Sequence, residues 1–293
     1  MTRRLLCAML LALPSLLAGP VFWTLAADNK GVARNLVQFD PIAGTQQAPV
    51  VLGNGNLSFA GGLVWNHFDT SSVPAFFYGP GSNSAGGLYM VGWEATGSGS
   101  NVSSDLSVGV TPGIRARGTA EMDINGQLTL WMILSDPQGN SLLTDWSANT
   151  GDFSTKGVQL TQGNYSGAAY NTDDGNIYVI KNDGQGNSSL LRVNLTTSAI
   201  TVMPIVLGTG FTGGLTYTEG QFYSIRNAAG ASTVYRFGLN DSAPTPIYSL
   251  GQGFQYASLT ATPGAPNSGV PEPGTVVLSG LGLVGAWAWR RKR

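Results

Sequence analysis

This 293-residue chain has one cysteine and one histidine. Cys7 sits in the apolar N-terminal stretch, so the rest of the chain holds no disulfide and no thiol chemistry. A body of this length buries enough surface to stand without crosslinks. His67 is the only imidazole. Asp69 lies two positions on, and i, i+2 residues of a strand share a face without being set for proton relay. His67 therefore reads as a solvent-exposed loop side chain. Metal sites need several His or Cys side chains, or clustered carboxylates at ligand spacing, and no such spacing occurs. Charged residues make up only 11% of the chain. No Gly-x-x-x-x-Gly-Lys-Ser/Thr phosphate loop is present. No catalytic, cofactor-binding or metal-ligating residue is assigned. A sustained 3.6-residue apolar period is also missing, which argues against a helical body.

The two ends differ from the middle. At the N-terminus Arg3 and Arg4 precede a run that is almost wholly apolar from Leu5 to Trp23, interrupted by Pro14. Thr24-Leu25-Ala26-Ala27 then offers small residues for cleavage after Ala26 or Ala27. This is the pattern of a secretory signal peptide over residues 1–27. At the C-terminus Val270-Pro271-Glu272-Pro273-Gly274 leads into an uncharged run from Thr275 to Trp289. The chain closes on Arg290-Arg291-Lys292-Arg293. The two prolines fix φ and lack N–H donors, so they hold an extended, accessible peptide. The basic cluster marks the cytoplasmic side of a membrane span. Fifteen helical residues reach about 22 Å at ~1.5 Å each, short of a ~30 Å hydrocarbon core. Such a span suits a temporary stop.

This ending resembles the PEP-CTERM sorting signal of bacterial exported proteins over residues 270–293. Pro271, Glu272 and Pro273 are the sorting motif. Trp287, Trp289, Arg290, Arg291, Lys292 and Arg293 form the membrane stop and basic tail. The resemblance implies recognition by an exosortase, an inner-membrane intermediate, and a final place at the cell surface or outside the cell, typically in bacteria that make exopolysaccharide.

Between the ends, residues 28–269 carry nine basic and fifteen acidic side chains, a net charge of −6. That balance argues against nucleic acid as a partner. The body, taken as residues 28–261 with a flexible linker over 262–269, is rich in Gly, Ser, Thr and Asn around short apolar runs. It reads as all-β. Its segments recur. Phe59-Ala60-Gly61-Gly62-Leu63-Val64-Trp65 is echoed by Phe211-Thr212-Gly213-Gly214-Leu215-Thr216-Tyr217, more loosely by Tyr165 to Tyr170, and most loosely by Phe254 to Leu259. Gly-led strands follow at Gly87-Leu88-Tyr89, Gly126-Gln127-Leu128, Gly175 to Ile180 and Gly220 to Ile225. Third strands closing on polar turns are Leu143 to Trp146, Leu191 to Asn194 and Val234 to Phe237. Units of about 40–50 residues with four strands each have the period of a β-propeller blade.

Asn35 to Gly44 matches a third strand and its turn, and Gly253 to Ala261 matches a first strand. The two ends are therefore expected to complete one split closing blade, for about five blades in all; a β-sandwich is the alternative. The repeat resembles a broad group of extracellular propellers with no single activity.

Chemistry is sparse in this body. Asp173-Asp174-Gly175 and Asn182-Asp183-Gly184 fall where hairpin turns are expected. Glu121 and Asp123 alternate on one strand, where paired carboxylates serve glycoside hydrolysis. Arg115 and Arg117 just upstream make a salt-bridge patch the simpler account. Trp65, Trp93, Trp131 and Trp146 are expected to pack between blades rather than stack on sugars. The sequence points to a non-enzymatic surface or matrix protein that binds polysaccharide or another protein. The alternative is a secreted carbohydrate-active hydrolase or lyase on the same fold.

Overall fold

The computed structural model describes residues 19–27, 33–52, 57–59, 61–66, 76–83, 87–96, 99–101, 114–124, 127–147, 150 and 153–262. The sorting motif Pro271-Glu272-Pro273, the apolar span with its basic tail, His67 and Asp69 lie outside these residues. Among the described residues there is no helix, and none long and apolar enough to cross a membrane.

The described residues form five antiparallel sheets, the blades of an all-β propeller. The closing blade takes β1 (Val21–Ala27), β2 (Ala33–Asp40) and the outer pair β3 (Thr45–Gln46) and β4 (Val50–Val51) from the N-terminal side. In the next blade β5 (Leu57–Phe59) and β6 (Val64–Trp65) share the inner position. They are followed by β7 (Phe76–Asn83), β8 (Leu88–Glu94) and β9 (Gly99–Asn101). The three regular blades are β10 (Arg115–Ile124) with β11 (Gln127–Ser135), β12 (Ser141–Ser147) and β13 (Phe153–Leu160); β14 (Asn164–Asn171) with β15 (Asn176–Asn182), β16 (Asn187–Val193) and β17 (Ile200–Thr209); and β18 (Phe211–Thr218) with β19 (Gln221–Ala228), β20 (Ala231–Phe237) and β21 (Thr245–Leu250). The chain then returns as β22 (Gln255–Tyr256) and β23 (Thr260–Thr262), both of which pair with β1.

Burial follows position within the blade. The second strand is covered on both faces by neighbouring blades, so Asn176 to Ile180 of β15 are buried without alternation. The outer β17 has only one covered face, and there Ile205 and Leu207 alternate with exposed Val206. Aromatic pairs fill the spaces between blades. Tyr178 meets Phe222 at 4.8 Å across one such space, and Phe222 stacks on Phe237 at 5.7 Å. Each such side chain contributes about 1.5–3 kcal/mol through burial.

Two expectations change in detail. Gly87-Leu88-Tyr89 opens β8, a third strand rather than a second. The folded body begins at Val21 and ends at Thr262, not at residues 28 and 261. Asn35 to Asp40 does lie on a third strand. The second strand of that blade is Val21–Ala27, inside the stretch read as signal peptide. Apolar composition cannot separate an export segment from a doubly buried strand, since both are nearly continuous hydrophobic runs.

Candidate functional site

The inner strands meet around one axis. β6 packs on β10, β10 on β14, β14 on β18, β18 on β23, and β23 returns to β6. At one level the contact is backbone to backbone. A Cβ on Gly118 would stand 2.7 Å from the Gly167 carbonyl carbon, and one on Gly167 only 2.6 Å from the Leu215 nitrogen. On Gly214 it would run into Ser258 and Leu259, and on Gly61 into the Ala116 carbonyl. Gly61 and Gly214 also hold φ of +108° and +96°, a region that L side chains rarely adopt. The cavity left on the axis, bordered by Thr119, Ser166 and Leu259, has a volume of about 10 Å³, at the lower limit for a single water. The axis is thus closed, and a ligand can reach it only from an end.

At the end where the inner strands begin, polar side chains are committed to tying blades together. Ser166 Oγ donates to the Phe211 carbonyl at 2.7 Å, and Asn182 Nδ2 donates to Ser166 Oγ at 2.9 Å. Ser188 Oγ donates to Asn182 Oδ1 at 2.6 Å and accepts from the Phe211 amide at 3.2 Å. Asn227, at the position of Asn182 one blade later, donates to the Tyr256 carbonyl at 2.7 Å and accepts from its amide at 3.2 Å. Sequence reasoning missed these Asn and Ser residues. The recurrence of Asn182 and Asn227 just before the second hairpin turn, with Ser188 and Ser232 just after it, was the available signal.

Two loops at this end are near copies. Asp136 Oδ1 accepts from the amides of Gln138 and Asn140, and its Oδ2 from Asn140 Nδ2 at 2.7 Å. Asp183 does the same with Gln185 and Asn187, the last at 2.8 Å. Hydrogen bonds from the Asn side chain and the loop amides hold both carboxyls below the usual range, despite their exposure. Asp183 therefore serves a turn, as its place beside Gly184 suggested.

The other end is different. Three positions after Gly62, Gly118, Gly167, Gly214 and Ser258, the five inner strands carry Trp65, Glu121, Tyr170, Tyr217 and Ala261. All five are half-buried. The adjoining turns add Asp173, Asp174 and Glu219, all exposed. Tyr217 donates to Asp173 Oδ2 in the neighbouring blade, and Tyr178 donates to Asp174 Oδ2 at 2.6 Å. Burial first, and then the accepting Asp173 carboxylate, push the Tyr217 hydroxyl up to about 12. The result is an end of the ring, its mouth, where three half-buried aromatic side chains at one register position each pack one side against an inter-blade core, beside a rim of carboxylates.

The candidate residues separate on this frame. Trp93, Trp131 and Trp146 are buried in the inter-blade cores, as expected, and Trp65, half-buried at the end of its inner strand, packs against the same core as Trp93. Glu121 and Asp123 both lie on β10. A bulge between Ala116 and Gly118 interrupts the strict alternation between the two arginines and the two carboxylates of this strand. Burial and the neighbouring Arg115 lower the pKa of Arg117. Among the described residues no three His, Cys, Asp or Glu side chains converge on a metal position.

The C-terminal residues 269–293 match the family model of the PEP-CTERM protein-sorting motif. The motif marks the chain as exported and sorted by an exosortase. No curated protein matches the chain. Among solved structures, the chain is similar to TolB from Acinetobacter baumannii, with 11% identity and a TM-score of 0.46 over 86% of this chain and 70% of that one. A putative TolB from Agrobacterium tumefaciens is similar at 13% identity and a TM-score of 0.44, over 82% of this chain and 88% of that one. The likeness is one of fold.

Proposed function

We propose that this exosortase-sorted chain presents its propeller at the cell surface as a non-enzymatic binding module for polysaccharide, linked to exopolysaccharide or biofilm. The observation that carries the reading is the mouth. Trp65, Tyr170 and Tyr217 stand at one register position on three inner strands, half-buried, with carboxylates on the rim. Aromatic faces stack on the apolar faces of sugar rings, and carboxylates accept hydrogen bonds from hydroxyls. The closed axis leaves the ends of the ring as the surfaces a ligand can reach.

The test is a glycan array probed with residues 19–268, run beside an assay for new reducing ends. Saturable binding that falls by about two- to tenfold in Tyr170→Ala or Trp65→Ala, without new reducing ends, is the expected outcome; ~0.5–1.5 kcal/mol per stacked ring sets that scale. A hydrolase reading has one observation in its favour, the place of Glu121 in the same ring. Release of reducing ends that Glu121→Gln abolishes would replace the binding reading with that one.

A further inference from the structure

The propeller depends on β1. Six of its seven residues are buried. One edge pairs with β2 from Phe22↔Phe39 to Ala27↔Ala33. The other edge pairs with the returning C-terminal strands, through Phe22↔Ala261, Trp23↔Thr260 and Ala26↔Tyr256. Its side chains reinforce both unions. Thr24 Oγ1 donates to the Ser258 carbonyl, and Trp23 Nε1 donates to Thr262 Oγ1 at 3.2 Å. Trp23 and Leu25 pack with Leu63, Phe77 and Trp93 of the following blade. Phe22 and Ala26 pack with Tyr223 and Ile225 of the preceding one. Cleavage after Ala26 or Ala27 would remove the partner of β22 and β23 and leave β2 an unpaired edge. Two rows of buried backbone polar groups would then be unsatisfied.

Resting on the export reading above, we infer that signal peptidase cuts the Ala18–Gly19 bond and that the mature protein keeps β1. Hydrolysis of that amide by one water leaves the carboxylate on Ala18 and the free amine on Gly19. A positive n-region, an apolar core and a small residue all precede β1. Arg3 and Arg4 are followed by an apolar core from Leu5 to Leu13, within the ~7–15 residues such a region needs. Pro14 ends that segment, and Ala18 supplies the small side chain at the scissile position. A cut one bond later would place Pro20, which has no N–H, directly after the scissile bond. The small-residue pattern by itself favours a cut after Ala26, with Thr24 two positions before it, over one after Ala18, which Leu16 precedes by that spacing. The fold decides against the later site, since Ala26 and Ala27 are locked in a sheet.

The test is made on the full chain in an exporting bacterium that carries an exosortase, with N-terminal sequencing and intact mass of the exported protein. The expected mature N-terminus is Gly19. An N-terminus at Ala27 or Asp28 overturns this inference and leaves the export reading standing. Met1 retained in every fraction overturns both. Ala18→Tyr, which lies ahead of the folded unit, is expected to convert the mature form into accumulated precursor. Unchanged processing of that variant overturns the assignment.

Discussion

The smallest side chains set the tightest constraint in this molecule. At the axis, Gly118 approaches Gly167, Gly167 approaches Gly214 and Leu215, and Gly214 approaches Ser258, each without room for a methyl group. The groups in the way are backbone, which cannot swing aside. Gly167→Ala is therefore expected to spread the inner strands and to cost about 1–3 kcal/mol, read as a lower midpoint in urea unfolding. Gly186, with nothing within 4 Å of a Cβ but φ of +83°, is the control that tests conformation without crowding. The acidic loops carry a pH signature. Asp136 and Asp183 have folded pKa values below the unfolded one, so their contribution is present above the unfolded value near 3.8 and is lost as pH falls through the folded value. Asp183→Asn should remove part of the acid-side slope of stability while leaving stability above pH 6 nearly flat. At the alkaline side the sign reverses. The raised Tyr217 value means its contribution persists below pH 10 and is lost toward about 12. Tyr217→Phe should remove a late-titrating component from the 295 nm absorbance curve.

At the scale of elements, the closing blade joins the two ends of the chain. Its inner strand is C-terminal, while its second, third and outer strands are N-terminal. Deleting residues 34–53 takes away β2, β3 and β4 together with buried Leu36, Val37, Phe39 and Leu52. At about 1.5–3 kcal/mol each, those four side chains alone rival the ~5–15 kcal/mol that holds a whole domain. The truncated body is expected to lose cooperative thermal unfolding altogether, and a melt superimposable on the parent would count against ring closure. Thr24→Val, close in shape, tests the same union more gently. It should cost about 1–2 kcal/mol by leaving the Ser258 carbonyl without its buried donor.

For the whole molecule, the folded unit and the sorting signal are separable parts of one chain. Exosortase processing near Pro271-Glu272-Pro273 predicts that surface material lacks the basic tail. Intact mass of the surface form should fall short of the full-length value at the C-terminal end. Recovery of Arg293 from surface protein would count decisively against cleavage.

Much of this was legible in the sequence, and the reason is periodicity. Phe59 to Trp65 and Phe211 to Tyr217 announce inner strands because the axis demands glycine at the same place in each. Gly175 and Gly220 mark the turns before second strands because those turns need positive φ. Asn35 to Gly44 was readable as a third strand by its closing turn, in which Asp40 Oδ1 accepts from the amides of Ile42 and Ala43. The PEP-CTERM ending is local chemistry and needs no fold to be read. What only the tertiary structure decided is where long-range pairing enters. Val21–Ala27 resembles export signal until Tyr256 and Thr260 are found beside it, more than two hundred residues away in sequence. The bulge at Ala116 is invisible to a strict alternation, yet it shifts the register between Arg115 and Glu121. The mouth of Trp65, Tyr170 and Tyr217 exists because ring closure brings one register position of separate blades to a common axis. Local sequence carries turn chemistry and strand period, whereas the neighbours of a strand are set by closure of the ring.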